Sequence, residues 1–187
     1  MTAEIDPGRP AYLPGDAMPE DEIARMVRVD HAGEYGAVRI YEGQLAVMRH
    51  GRARNEIRHM AEQETRHLAT FNELVRAHRV RPTLLQPLWH VAGFALGAAT
   101  ALLGEEAAMA CTVAVEEVID EHYEGQAERL GDADPALKET ILAFRDDELA
   151  HRARAIEHGA METLGYDLIS GAVKAGSRLA IWLSTRI

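Results

Sequence analysis

The chain has 187 residues, of which 47 % are hydrophobic, and its formal net charge at pH 7 is -10. This length suits one domain with one core, and the acidic balance argues against a nucleic-acid partner, because phosphate binding needs clustered Lys and Arg. A single cysteine excludes an internal disulfide, and no signal-like segment opens the chain, so we expect a reducing, cytosolic compartment.

The first half of the chain is predicted to be helical, because Ala, Glu, Arg and Leu abound and aromatic residues are few. Residues 1–18 carry prolines and glycines without an apolar period, which indicates a flexible arm. The first helix should begin at Pro19, ahead of three acidic residues, and end near Gly51. A second helix is predicted from about Arg52 to Val80, where two prolines follow.

The second half repeats this pattern after an apolar segment. From Thr83 to Gly104 no formally charged residue appears, and the chain should bend or break near Gly104 before a helix that runs to about Gly131. Asp134 and Pro135 have the residue types of a helix cap and first residue.

The remaining chain completes an all-α domain. The helix that starts at Pro135 is predicted to reach about Gly165, and a last helix should occupy roughly 167–185. We therefore expect residues 19–187 to form a four-helix bundle of two pseudo-symmetric hairpins, with additional apolar or amphipathic helical segments.

Two Glu-x-x-His pairs interrupt the apolar stripes of this bundle. Glu64 and His67 lie three positions apart on the second helix, and Glu148 and His151 do so on the fourth, so each pair leaves one helix face. A carboxylate buried without a compensating charge costs several kcal/mol, so it must be neutralised, paired or bound to a cation. A metal site satisfies this requirement for both stripes at once.

The other two helices each supply one inward carboxylate. Glu34 precedes Glu64 by 30 residues, and Glu116 precedes Glu148 by 32, which indicates an internal duplication. Glu116 is preferred over Glu117, because the turn-related neighbours of Glu117 are acidic and mark a solvated face.

These six residues are the ligand set of ferritin-like di-iron and di-manganese proteins. Four carboxylates and two imidazoles suit iron or manganese better than zinc. A single Glu-x-x-His is weak evidence, as Glu56 and His59 show, because they repeat the spacing on a polar face. The competing interpretation is a set of buried ion pairs, but the stripes offer too few inward Arg or Lys.

Several other residues have candidate roles near the metals. Tyr123 follows Glu116 by seven positions and either borders the open coordination positions or packs as a core tyrosine. Asp147 is a candidate hydrogen-bond acceptor for His67 across the bundle. Three further residues have two alternative roles: His31, Asp120 and His122. They either support the ligands or contact the substrate, or they are simply packed as polar side chains.

The apolar segment and the last helix indicate contact with a membrane surface. Pro87 and several small residues make a full crossing by the segment improbable. In the last helix Lys174 and Arg178 lie opposite an apolar stripe, as in helices that lie in a bilayer surface. The stripe consists of Ile169, Val173, Gly176, Leu179, Leu183 and Ile187. Alternatively, both stretches cover the bundle or form a subunit interface.

Three stretches resemble one known family, the demethoxyubiquinone hydroxylases of ubiquinone biosynthesis. They are RVDHAGEYGAVRIYEGQ (28–44), FNELVRAHRVRPTLLQPLWHVAGFALGAATALLGEEAAMACTVAVEE (71–117) and FRDDELAHR (144–152). The resemblance implies a ferritin-like fold and a di-iron centre on Glu34, Glu64, His67, Glu116, Glu148 and His151.

The resemblance also implies an activity: O2-dependent hydroxylation of the ring of a polyprenylated demethoxyubiquinol. It suggests electrons from NADH and a position on the inner face of the cell membrane. From their positions in the sequence, His122 and Tyr123 are the candidate catalytic residues. A homo-oligomer or a partner protein that presents the lipid stays open. The alternatives are a ferroxidase or iron-binding protein and a metal-free helical interaction module, because ligand spacing alone does not choose among reactions.

Overall fold

The computed structural model describes residues 18–187, so nearly all of the arm expected at 1–18 lies outside the described residues. Within 18–187 the chain is helical and no strand is present, which confirms the all-α prediction. The helices are α1 (Pro19–Val47), α2 (Arg52–Ala77), α3 (Gln86–Leu103), α4 (Glu105–Leu130), α5 (Pro135–Glu157) and α6 (Tyr166–Ser184), with a 3-10 turn at Ala160–Glu162.

The helices form two similar units of three. Hairpin α1/α2 packs against hairpin α4/α5 to make the four-helix bundle, while α3 lies along α1 and α6 lies along α4. This arrangement agrees with the duplication expected from the sequence, and it extends that duplication from two helices to three in each half.

The predicted helix starts are confirmed, and three of the predicted ends are wrong. The Asp134 carboxylate accepts a hydrogen bond of 3.0 Å from the Leu137 backbone N–H, as expected of a cap. However, α1 ends at Val47, α2 ends before Arg79 (φ +53°), and α5 ends before Gly159 (φ +83°). A residue at positive φ cannot continue a right-handed helix, which explains the ends of α2 and α5, and the sequence pattern did not indicate these positions. After α1 the backbone of Met48 is extended (φ -72°, ψ 114°).

The uncharged segment forms α3, which is separated from α4 by Gly104. At φ +131° and ψ 168°, Gly104 adopts a conformation that residues with a side chain rarely adopt. Glycine is also required where α3 meets α1, since a Cβ at Gly43 or Gly97 would overlap backbone atoms of the facing helix. None of the helices in residues 18–187 is long and apolar enough to cross a bilayer.

Two apolar clusters occupy the two ends of the bundle interior. One contains Tyr41, Ile57, Met60, Met109, Val113 and Ala155. The other contains Val27, Phe71, Tyr123, Leu137 and Ile141. On every bundle helix the acidic and histidine residues singled out above lie between members of these two clusters. Ionisable groups therefore form a layer that apolar side chains close on both sides.

Helix α6 packs against a face of α4 that was expected to be solvated. Lys174 forms an ion pair with Glu117, and Arg178 forms one of 2.9 Å with Glu121. The acidic face of α4 is therefore in contact with α6. Val173 is buried in the same contact. Part of the expected apolar stripe of α6 therefore faces the bundle.

Candidate metal centre

Six ionisable side chains meet between the four bundle helices. α1 contributes Glu34, α4 contributes Glu116, and α2 and α5 each contribute one Glu-x-x-His pair, because residues three apart leave the same helix face. Each of the six is at most 3 % exposed: Glu34, Glu64, His67, Glu116, Glu148 and His151. The structure therefore brings together all six residues that the sequence singled out as ligands.

The six side chains form two overlapping groups. Glu34, Glu64, His67 and Glu148 offer ligand atoms within 4.8 Å of one another, and Glu64, Glu116, Glu148 and His151 do the same. Glu64 and Glu148 belong to both groups, as bridging carboxylates between two cations would. The Nδ1 atoms point inward: His67 Nδ1 lies 3.3 Å from Glu148 Oε1, and His151 Nδ1 lies 3.1 Å from Glu64 Oε1.

The donor atoms fit a pair of divalent cations. One or both carboxylate oxygens of each glutamate, and Nδ1 of His67, are buried without a hydrogen-bond partner. No Lys or Arg within residues 18–187 forms an ion pair with these carboxylates, so the structure does not support the buried-ion-pair alternative. Four carboxylates would be neutralised by two divalent ions, and this hard-to-intermediate ligand set suits iron or manganese.

Without cations the cluster disfavours negative charge. Burial and the neighbouring carboxylates raise the pKa of Glu64 and of Glu116 well above the ordinary value, and burial also raises the pKa of Glu148. Burial lowers the pKa of His67, but the close Glu148 and Glu34 carboxylates outweigh this effect and raise that pKa to about 10. Burial lowers the pKa of His151.

We expect metal binding to release protons and to strengthen as pH rises. At neutral pH the raised pKa values leave protons on His67 and on part of the carboxyl set, and these protons must leave before the atoms can coordinate. For each proton that must be released, the apparent metal affinity should rise about tenfold per pH unit. For the proton on His67 this rise should continue until the pH approaches 10.

Calorimetric titration of the apo-protein with Zn(II) in buffers of different ionisation enthalpy measures this release. A variant at the exposed residue Glu62, Glu62→Gln, is the matched control and should release the same number of protons as the unmodified chain. A binding enthalpy that does not change with the buffer would contradict the prediction.

Two tyrosines contact the carboxylates in a crossed arrangement. Tyr123 of α4 donates a hydrogen bond to Glu34 of α1, and Tyr41 of α1 donates one of 2.8 Å to Glu116 of α4. Burial and the nearby carboxylates raise the pKa of both phenols well above the ordinary value, so both keep their protons. Tyr123 is expected near the centre from the sequence, whereas Tyr41 is not, although Tyr41 follows Glu34 by the same seven positions as Tyr123 follows Glu116.

The remaining candidate residues lie further out. His122 Nε2 lies 3.0 Å from Asp30 Oδ1, and the same oxygen accepts a hydrogen bond of 2.8 Å from Gln126. Asp30 and Gln126 are buried and were not expected from the sequence. His31 contacts Asn72 at 3.2 Å. None of these side chains belongs to either group of candidate ligands.

Asp147 makes the contact expected from the sequence, whereas Asp120 pairs with an arginine. Asp147 Oδ2 lies 3.0 Å from His67 Nε2. Asp120 instead forms an ion pair of 2.5 Å with Arg145, where its side chain is 25 % exposed, as the polar-packing alternative predicts.

An apolar cavity of about 460 Å³ lies beside the centre, between α1, α3, α4 and α6. Gly33 and Val115 line it and are the chain neighbours of Glu34 and Glu116, so it comes within one helical turn of two candidate ligands. Its other lining residues include Gly36, Trp89, Ile119, Val173 and Leu179. Cavities of this size and polarity suit an apolar small molecule.

Comparison with known proteins identifies close relatives. The family model described as ubiquinone biosynthesis protein COQ7 matches residues 21–184. The chain is 58 % identical over 176 residues to a 3-demethoxyubiquinol 3-hydroxylase of Rhodospirillum rubrum, covering 94 % of this chain and 83 % of that protein.

Two eukaryotic relatives are similar over nearly the same span. A mitochondrial NADPH-dependent 3-demethoxyubiquinone 3-hydroxylase of Homo sapiens is 51 % identical, covering 88 % of this chain and 78 % of that protein. A mitochondrial 5-demethoxyubiquinone hydroxylase of Saccharomyces cerevisiae is 44 % identical, with the same two coverages. The family resemblance read from the three stretches of sequence is thereby confirmed.

Proposed function

From the premise that the chain belongs to the family of ubiquinone biosynthesis protein COQ7, we propose that it is an O2-dependent di-iron monooxygenase. Its substrate is a polyprenylated demethoxyubiquinol, and the product carries one additional ring hydroxyl. The observation that carries this proposal is the pair of overlapping ligand groups that share Glu64 and Glu148.

The metal ligands proposed are the six residues of these groups, and iron is the metal. When loaded, such a centre supplies the two-electron reduction of O2 that places one oxygen atom on a ring carbon and the other in water. The chain contributes a closed, water-poor layer between two apolar clusters. Tyr41 and Tyr123 hold protons at Glu116 and Glu34, which orients these carboxylates and leaves their second oxygens free to bind.

The apolar cavity is the proposed binding site for the quinol ring. Its lining by Gly33 and Val115 brings a bound ring within one helical turn of Glu34 and Glu116, and its apolar walls exclude water. His122 is proposed as a catalytic residue together with Tyr123, because it directly precedes Tyr123 in α4 and its Nε2 lies 3.0 Å from the buried Asp30.

The electrons are proposed to come from a reduced nicotinamide. The reaction consumes quinol, O2, two electrons and two protons, and it yields hydroxylated quinol and water. NADH was expected from the family resemblance, whereas the human relative is named as NADPH-dependent, so both donors belong in the test.

The test is anaerobic loading with Fe(II), followed by O2, a short-chain demethoxyquinone and either NADH or NADPH. We expect mass analysis to show a quinone product with one added oxygen atom, derived from labelled O2. Iron oxidation without hydroxylated quinone would reject the hydroxylase and favour a ferroxidase. A protein that binds no iron at all would reject both.

We also propose that the protein binds peripherally to the inner face of the cell membrane, from which a polyprenyl substrate reaches the cavity. Leu179 lines the cavity and is 56 % exposed, so the cavity opens on an exposed surface. Large apolar side chains are exposed on α3 and α6, two of the helices that line the cavity: Leu88, Val91, Leu168 and Trp182. A lipid tail can extend from the cavity across these residues into a bilayer.

Membrane binding should depend on apolar contact more than on charge. Lys174 and Arg178, the basic residues of α6, are already paired with Glu117 and Glu121. We expect the unmodified chain to bind neutral phosphatidylcholine vesicles, and this binding should persist at high salt. The double variant Val91→Asp with Leu168→Asp should lose at least tenfold in vesicle affinity, because each substitution removes a large apolar side chain from contact with the lipid.

Vesicle co-sedimentation measures this loss, and Leu142→Asp on α5, where the leucine is also exposed, is the matched control. Unchanged binding by the double variant would contradict the proposal. Self-association of the unmodified chain that the same double variant abolishes would assign the face to a homo-oligomer instead.

A further inference from the structure

Three side-chain hydrogen bonds join the two candidate histidine ligands across the surface between α2 and α5. His67 Nε2 lies 3.0 Å from Asp147 Oδ2, and Asp147 Oδ1 lies 3.4 Å from Gln63 Nε2. Gln63 Oε1 in turn lies 3.2 Å from His151 Nε2. The four side chains therefore form one continuous chain on the outer side of the centre.

The chemistry of its members determines the direction of every hydrogen bond. The Asp147 carboxylate can only accept, so Gln63 must present its amide NH2 to Asp147 and its carbonyl oxygen to His151. Both imidazoles then donate from Nε2, so Nδ1 of each ring is the nitrogen that would coordinate a cation once any proton on it has been released. These are the two nitrogen atoms that face the buried carboxylates at 3.3 Å and 3.1 Å.

Gln63 and Asp147 occupy equivalent positions in the two halves of the molecule. Each directly precedes the glutamate of one Glu-x-x-His pair, and each serves the histidine of the opposite helix. Their chemistry differs, because one acceptor is a neutral amide and the other is a carboxylate. A hydrogen bond to an ionised acceptor is roughly twice as strong as a neutral one, so His67 is the more basic ligand of the two.

We propose that Gln63 is a positioning residue that orients His151 and makes the two metal positions inequivalent. The ion held by Glu34, Glu64, His67 and Glu148 binds more tightly than the ion held by Glu64, Glu116, Glu148 and His151. This inference rests on the di-iron function proposed above, but it concerns the binding of metal and not turnover.

An amide is the side chain that this position requires. A leucine at position 63 would leave His151 Nε2 without its acceptor and free the ring to turn. A glutamate at position 63 would still accept a hydrogen bond from His151. However, it would have no proton to donate to Asp147, so two carboxylates would face each other. Asp147 tolerates the loss of the Gln63 donor, because its side chain is 45 % exposed and can be hydrated.

The test is a titration of the apo-protein with Co(II), without quinone or nicotinamide, followed by visible absorption and metal analysis. For the unmodified chain we expect two ions in distinguishable steps, the second at least tenfold weaker than the first. Gln63→Leu should weaken the second step by a further factor of about ten and leave the first within about twofold. Gln63→Glu should restore most of the second step, because an acceptor for His151 returns.

Glu62→Gln, at an exposed neighbour on the same helix, is the matched control and should leave both steps unchanged, while thermal melts show that each apo-variant is folded. Equal affinity of the two ions in the unmodified chain, or equal weakening of both steps by Gln63→Leu, would overturn the inference. In that case quinone hydroxylation by the loaded protein would leave the proposed function intact. Unequal binding that depends on Gln63, without hydroxylated product, would reject only the hydroxylase.

Discussion

Replacement of Glu64 by glutamine is expected to remove both ions and, with them, the hydroxylase activity. Glu64 belongs to both ligand groups, and both of its oxygens are buried without a hydrogen-bond partner. A neutral amide supplies no charge to offset a cation. Since metal catalysis contributes several kcal/mol and 1.36 kcal/mol is a factor of ten, product formation should fall on the order of a thousandfold or more.

The same substitution is expected to stabilise the metal-free protein. Burial and three neighbouring carboxylates raise the pKa of Glu64, so its ionised form is disfavoured in the folded state. This raised pKa destabilises the folded apo-protein relative to the unfolded chain. The effect is absent below the ordinary carboxyl pKa and grows as pH rises toward the raised pKa of the folded state, because Glu64 ionises first in the unfolded chain. Glutamine removes this effect, so we expect the apo-variant to gain about 1 to 3 kcal/mol in free energy of unfolding.

Glu148→Gln is the informative comparison for this stability change. It should also abolish metal binding, but it removes the carboxylate that lies 3.3 Å from Nδ1 of His67, whose raised pKa keeps it protonated. Removing one of the carboxylates that offset a buried cation is costly, so this apo-variant should not gain stability. Chemical denaturation of both apo-variants at pH 6 and pH 8, with metal analysis, checks the pair. Two bound ions in Glu64→Gln, or a lower stability than the unmodified apo-protein, would contradict the prediction.

Gly36→Leu is expected to block the cavity and raise KM for the quinol at least tenfold, while two ions remain bound. Gly36 lines the cavity, and a Cβ there would meet no atom within 4 Å, so the leucine side chain extends into the space assigned to the ring. Replacing a helical glycine also favours the helix by about 0.8 to 1 kcal/mol, so reduced activity would not arise from unfolding.

Gly36→Ala is the matched control, since it makes the same change in backbone preference but adds only a methyl group. Its KM should stay within about twofold of the unmodified chain. Steady-state kinetics with a short-chain quinol and metal analysis of each preparation separate the two effects. An unchanged KM in Gly36→Leu would place the quinol elsewhere, and loss of iron would show that the substitution disturbs the centre.

The sequence alone predicts the four bundle helices with their starts and the six residues proposed as ligands, although it does not predict three of the helix ends. Apolar periodicity defines which face of each helix is buried, and a glutamate on such a face must be neutralised, paired or bound to a cation wherever it finally lies. Glu34 and Glu116 were identified in this way before any neighbour was known. The starts of two helices were also predictable, because Pro19 and the Asp134–Pro135 pair favour the first turn of a helix through their own conformation and hydrogen bonding.

The contacts between helices were decided only by the tertiary structure. Tyr41 reaches Glu116, and Gln63 reaches His151, across more than seventy residues of sequence, and neither contact follows from spacing along one helix. The same applies to the cavity, which exists because α3 and α6 lie along α1 and α4 at particular distances. A helix face is a local property, since it depends on residues three or four apart. The partner of that face depends on how α1 to α6 pack together, and no single segment of the sequence carries that information.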